Sequence, residues 1–210
     1  MDKRSNQAIM ELKENVGSLK SFSLSVEVPK QERVRNLVTL YGDKNRFGAA
    51  FNPSLQKAIA QNLERAYVGK APTLAVVKEA FGIDPAEGWI MAQLEDLNEF
   101  SGVAVKMSTG QMEETSRLIL QEYPYFKVTE FMLFMHRFKC GKYGALYGVV
   151  DPLVIMQALF QFASERRAEL AFYENRERER KKQEEREKWQ SSQTAISYSE
   201  WKNSKKKEKI

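Results

Sequence analysis

Apolar residues recur at helical spacing in block after block of the chain, and they are densest between Tyr123 and Arg167. In that stretch Phe131, Met132, Leu133, Phe134 and Met135 are consecutive, so a helix opened at Lys127 or Thr129 is hydrophobic on every face and belongs in the middle of a domain. Arg137 and Lys139 stand where cations favour the carbonyl end of a helix, and Gly141 suits the left-handed residue that ends one. Asp151-Pro152 predicts a second helix, with a carboxylate to cap free amides and a proline where no N–H is needed. Its stripe is Ile155, Leu159, Phe162 and Ala163, at the 3.6-residue period. The two helices form a buried hairpin. Their connection, roughly ten residues against the ~2–8 usual in bundles, is long enough to have structure of its own.

Upstream the helix punctuation repeats. Asn52-Pro53 opens a helix through Leu55, Ala58, Ile59, Leu63 and Ala66 that closes at Gly69, and Pro72-Thr73 opens one through Leu74, Val77 and Phe81 that closes at Gly82. Asp84-Pro-Ala-Glu87 reads as a capping box ahead of Trp89, Ile90, Leu94 and Leu97, and Ser108-Thr-Gly-Gln111 repeats the device ahead of Met112, Leu118, Ile119 and Tyr123. Between Pro29 and Gly42 the residues Val34, Leu37, Val38 and Tyr41 share a helical face, whereas the Asp, Asn and Gly content of residues 43–52 predicts a loop. Gln7 to Leu19 reads as a short amphipathic helix and Phe22 to Val28 as a lone strand.

The fold class that follows is all-α: a compact multi-helix domain around the central hairpin, with a long charged C-terminal helix and a disordered end. The expected division is an N-terminal arm with the first helices at residues 1–51, a helical core at 52–175, and a charged extension and tail at 176–210. From Glu165 onward there are fourteen Lys or Arg and ten Asp or Glu, a surplus of +4 in a chain of formal charge +5. The high pI is therefore a property of the tail. No Gly or Pro follows Pro152, so the helix begun there is expected to run on through RERERKKQEEREKW, where Glu177 with Lys181 and Glu184 with Lys188 are spaced to pair.

The composition, 42% apolar and 29% charged, fits a globular chain with a charged portion. Apolar runs are far shorter than the ~20 residues of a membrane span, and the charged amino terminus is unlike a secretory leader. With one cysteine there is no disulfide framework, which points to a reducing cytoplasm.

His136 and Cys140 are four residues apart and share a helix face. A nucleophile needs a base and an orienting third group, and none is evident, so the residues favour a core cysteine beside a helix-end histidine. One His and one Cys also fall short of a four-ligand zinc site. No metal, cofactor or catalytic residue is assigned, and the reading is of a protein that is not an enzyme. GKYGALYG lacks the spacing of a phosphate-binding loop. It does interleave Arg137, Lys139, Lys142, Tyr143 and Tyr147, and cations alternating with rings can hold phosphates and unstacked bases. The alternative is that the tyrosines pack on the hairpin and the cations serve the helix end. At the far end Lys205, Lys206 and Lys207 form the other candidate contact for nucleic acid or a protein partner.

The segments TLAVVKEAFG, WIMAQLEDLNEFSG, KMSTGQMEE and YFKVTEFMLFMHRFKCGKYGALYGVVDPLVIMQALFQF resemble a family of small uncharacterised proteins of prophages and mobile elements in gut bacteria, above all in the pattern FxxGxYGxxYGxxDPLxI from Phe138 to Ile155. The resemblance runs from about Pro72 to Glu165 and leaves the tail outside. It implies no activity; it implies a setting, similar to phage replication accessories such as helicase loaders. Two functions follow: a non-enzymatic accessory of a phage or mobile element acting in DNA replication, or a structural or regulatory protein–protein adaptor that uses the charged helix without touching nucleic acid. The partner is expected to be another protein, with no membrane and with nucleic acid reached through the basic turn or the tail.

Overall fold

The structure, a computed structural model, describes residues 30–192. Its elements are α1 (Lys30–Tyr41), α2 (Lys44–Ala50), a 3₁₀ turn (Pro53–Leu55), α3 (Gln56–Ala60), α4 (Leu63–Val68), α5 (Leu74–Phe81), α6 (Ile83–Phe100), α7 (Thr109–Glu122), α8 (Val128–Lys139) and α9 (Pro152–Ser192). Among the described residues there is no strand, and the β pairing consists of two isolated bridges, Thr73 with Lys127 and Val105 with Val149. No described helix is long and apolar enough to cross a membrane. The expected N-terminal helix and strand at Gln7–Leu19 and Phe22–Val28 lie outside the described residues.

α8 is the axis, as its all-round apolar sequence requires. Every residue from Val128 to Met135 is buried, with α3, α4, α6 and α9 packed around it. Phe134 meets Phe162 of α9 at 5.6 Å and Phe131 meets Trp89 of α6 at 5.9 Å between ring centroids. The stripe Ile155, Leu159, Phe162 and Ala163 is buried as its spacing predicts. Gly141 ends α8 with φ +77°, a conformation that a Cβ would strain, and the Asp151 carboxylate accepts from the Leu153 N–H at 2.8 Å to begin α9. Ser108 and Gln111 form the expected capping box at α7.

Four expectations are corrected. Residues 43–52 are mostly helix: Asp43 Oδ1 accepts from the N–H groups of Asn45 and Arg46, and Phe47 and Phe51, one turn apart, bury against Tyr41, Phe81 and Trp89. Aromatic burial thus overrides the local loop composition, and Leu37, Phe47 and Phe51 join the same core as the later helices. The single helix expected from Asn52 to Gly69 is broken, because Asn62 stops propagating it and caps α4, its Oδ1 accepting from the Arg65 N–H at 2.8 Å. Its expected apolar face is rotated as well: Leu55 is exposed while Gln56 is buried and donates to Gln93 at 2.8 Å. Asp84 and Glu87 do not cap α6, which already begins at Ile83 after a one-residue break at Gly82, φ +97°. Cys140 is exposed, not core.

α9 has two regimes. From Ile155 to Tyr173 its core side packs on α4, α7 and α8. From Glu174 to Gln190 every residue except the half-buried Glu177 and Glu184 is exposed, and the helix continues without a break.

Candidate functional site

The glycine-rich connection between α8 and α9 folds against the core through one carboxylate. Glu165 Oε2 accepts from Lys142 Nζ at 2.6 Å, from the Tyr143 hydroxyl at 3.1 Å and from Arg137 Nη1 at 3.2 Å. Gly141, Gly144 and Gly148 all have positive φ, which lets the chain turn tightly enough to lay the Tyr143 ring on Phe134 at 5.7 Å. The far end of the connection is tied to the loop after α6: the Val105 N–H donates to Gly148 O at 3.2 Å and the Val150 N–H to Val105 O at 2.9 Å. That loop is fixed in turn by Asn98, whose side chain donates to Met107 O and accepts from the Met107 N–H, each at 3.0 Å.

Arg137 reaches further inward. It donates to the Tyr67 hydroxyl at 3.0 Å, and its guanidinium lies over the Tyr67 and Phe162 rings. Burial pushes the Tyr67 hydroxyl up to about 12, and burial, with Glu165 beside it, pushes that of Tyr143 up too. Both remain neutral donors or acceptors at physiological pH. Lys139 goes elsewhere: its Nζ pairs with Asp96 of α6 and lies over the Phe100 ring at 5.5 Å.

The structure therefore brings Arg137, Lys142 and Tyr143 together, sends Lys139 to a second carboxylate, and leaves Tyr147 87% exposed. The Arg137 and Lys139 side chains are only 13% and 15% exposed. Their donors are committed to Glu165, Asp96 and Tyr67, so the arrangement is an internal clasp joining α4, α6, α8 and α9, with a single half-exposed ammonium, Lys142, on its outer side. Lys205, Lys206 and Lys207 lie outside the described residues.

His136 Nε2 is 3.6 Å from Cys140 Sγ. Burial lowers the imidazole from its ordinary pKa, and Lys139 and Lys57 lower it further, so the ring is neutral near neutral pH. Among the described residues no three metal-ligating side chains cluster.

Glu165 and Asp96, the acceptors of the clasp, and a buried pair behind it carry no local signal in the sequence beyond their charge. Glu130 is fully buried and Arg166 Nε lies 2.9 Å from its Oε2, although the N–H is not aligned for a hydrogen bond, and Oε1 has no partner. The guanidinium also covers the Tyr125 and Phe126 rings at 5.1 and 5.4 Å. Burial pushes the Glu130 carboxyl up, against the opposing effects of Arg166 and of the Lys127 N–H. Lys127 itself turns inward, donating from Nζ to Tyr67 O and Gly69 O, and with the Thr129 hydroxyl on Ala66 O it satisfies the carbonyl end of α4. A carboxylate within the apolar run of α8 was the one visible signal of this network.

Residues 106–209 are similar to a family of unknown function (DUF6633). The matched segment is slightly under half of the chain and comprises α7, α8, the glycine connection, α9 and almost all that follows. It takes in the charged tail, which the resemblance drawn from the sequence leaves outside, and omits residues 72–105, which that resemblance includes. No curated protein and no solved structure matches the chain.

Proposed function

We propose that the protein is a non-enzymatic adaptor in which the helical core holds the root of α9 and presents its outer half to a partner. The observation that carries this reading is the continuation of α9 past Tyr173 as a helix exposed on nearly every side. A helix polar all round cannot be explained by core packing, and helices in proteins gain most of their stability from packing an apolar face. Here opposite charges in adjacent turns hold it instead: Arg180 contacts Glu177 and Glu184, each at 2.6 Å, and Lys181 reaches Glu177 at 3.8 Å. The cations of the turn are consumed in the clasp, so the turn offers a partner less free charge than α9 does.

In the setting that the sequence resemblance implies, the adaptor is a cytoplasmic replication accessory of a phage or mobile element, docking on a protein such as a replicative helicase. That setting rests on the resemblance alone. The test of the adaptor reading is capture of partners from the native host by the full chain and by a chain ending at Asn175, with nuclease treatment. Loss of specific partners on truncation, at an unchanged melting temperature, supports it; identical capture by both chains overturns it.

A further inference from the structure

Linear composition makes the outer half of α9 look evenly mixed, with seven Lys or Arg and six Glu between Glu174 and Gln190. Its faces are not alike. On a helix turning 100° per residue, Arg178, Lys182 and Arg186 fall within about 80° of one another, on the side opposite the core-facing residues Ile155, Leu159, Phe162 and Tyr173. All three are exposed. Glu179 flanks this stripe on one side and Glu174 and Glu185 on the other, but no carboxylate lies within it. Lys182 reaches Glu179 at 2.9 Å and Arg178 reaches Asn175 at 3.4 Å; exposed contacts of this kind hold weakly and release their cation readily.

The arrangement runs against local helix preference. Like charges four residues apart repel along a helix, and Arg178, Lys182 and Arg186 make the one run of three at that spacing in the outer half, where the remaining charges mostly pair with opposites. Glu179 offsets part of this repulsion; the rest is a local cost with no gain in the folded core, as expected where a surface is kept for function. Protein interfaces are anchored by buried aromatic and apolar residues with charges depleted at their centre. The stripe offers cations in steps of about 6 Å along the axis from Arg178 to Arg186, with a single exposed aromatic, Trp189, at its outer end. It fits a regularly charged polymer.

We propose that the outward face of α9 at Arg178, Lys182 and Arg186 binds the phosphate backbone of duplex DNA. The inference rests on the adaptor reading in that it needs α9 to project from the core. In the sequence that follows, residues 193–210 contain five Lys and two Glu, a further surplus of positive charge. The contact carries no base code, because phosphates position a protein without specifying sequence. Neutralising three phosphates gives a slope of log K against log salt of about −2.7, or roughly a 40-fold loss of affinity between 50 and 200 mM salt.

The test is fluorescence anisotropy of the full chain on a labelled 20-base-pair duplex across that salt range. Arg178→Gln, Lys182→Gln and Arg186→Gln together are expected to weaken binding at least tenfold and to flatten the slope by about 2.7. Arg176→Gln, Arg180→Gln and Lys181→Gln remove the same charge from the other sides and are expected to change affinity less than about threefold. Circular dichroism on both variants verifies that α9 persists. Equal effects of the two triples would show binding by net charge alone and overturn the proposal, as would no wild-type binding at 50 mM salt. Wild-type-like DNA binding by the stripe variant, with loss of a nuclease-resistant acidic protein from the captured partners, would assign the stripe to a protein and overturn it as well. Absent DNA binding with capture still dependent on residues after Asn175 leaves the adaptor reading standing, whereas stripe-dependent DNA binding with capture indifferent to truncation reverses that outcome.

Discussion

Arg137 and Glu165, twenty-eight residues apart, meet at 3.2 Å where α8 ends and α9 passes over it. The guanidinium is held from the other side by the Tyr67 hydroxyl, so one residue of α8 ties α4 and α9 to the centre of the domain. Glu165→Ala removes the shared acceptor of Arg137, Lys142 and Tyr143. Because Arg137 stays largely buried, the substitution is expected to cost about 1–3 kcal/mol, measured by urea denaturation. Unchanged stability would show that the clasp does not hold the connection.

Phe134 is fully buried and touches Phe131, Phe138, Tyr143 and Phe162. Phe134→Ala leaves a cavity among these rings, and a loss of about 3–5 kcal/mol is expected. That is a large share of the stability of a domain of this size. A loss below about 1 kcal/mol in the same assay would contradict the packing described around α8.

His136 is the chain's only histidine, so its titration can be followed alone by NMR. Its folded pKa lies below the ordinary 6.5, from burial and then from Lys139 and Lys57. The unfolded chain therefore binds the proton more readily. His136 contributes stability above the unfolded pKa, and that contribution is lost as pH falls from about 6.5 through the folded value. His136→Gln is expected to flatten the fall in melting temperature over that window. A measured pKa at or above the ordinary value would reverse the sign.

The elements that were legible in the sequence are those with strong local causes. α8 needed only five consecutive apolar residues and a glycine, and α9 needed Asp151, Pro152 and the absence of any later breaker. What was not legible depends on partners distant in the chain. Nothing near Gln56 shows that it will be buried on Gln93 and Asp96, some forty residues away, and nothing near Lys139 announces Asp96. The helix at Lys44–Ala50 was hidden because its glycine and asparagine suggest a loop, while the rings that hold Phe47 come from three other helices. The candidate basic turn was legible as a set of residues but not as a charge. Interleaving in sequence shows where Arg137, Lys139 and Lys142 are, whereas the carboxylates that meet them belong to α6 and α9.

The cationic stripe was hidden for the opposite reason. All of its residues are local, but a linear count of mixed charge averages over helix faces that differ.

A projecting arm requires α9 to leave the core as one straight, solvent-exposed helix. Spin labels at Ser164→Cys and Gln190→Cys, in a Cys140→Ser background, would be twenty-six residues apart on α9, one over the core and one near the outer end. Pulsed electron–electron resonance on the full chain is expected to give a single narrow distribution near 39 Å, the rise of about 1.5 Å per residue along an unbroken helix. A broad distribution, or one centred well below that distance, would show that the outer half frays or folds back on the core, and would contradict the projecting arm.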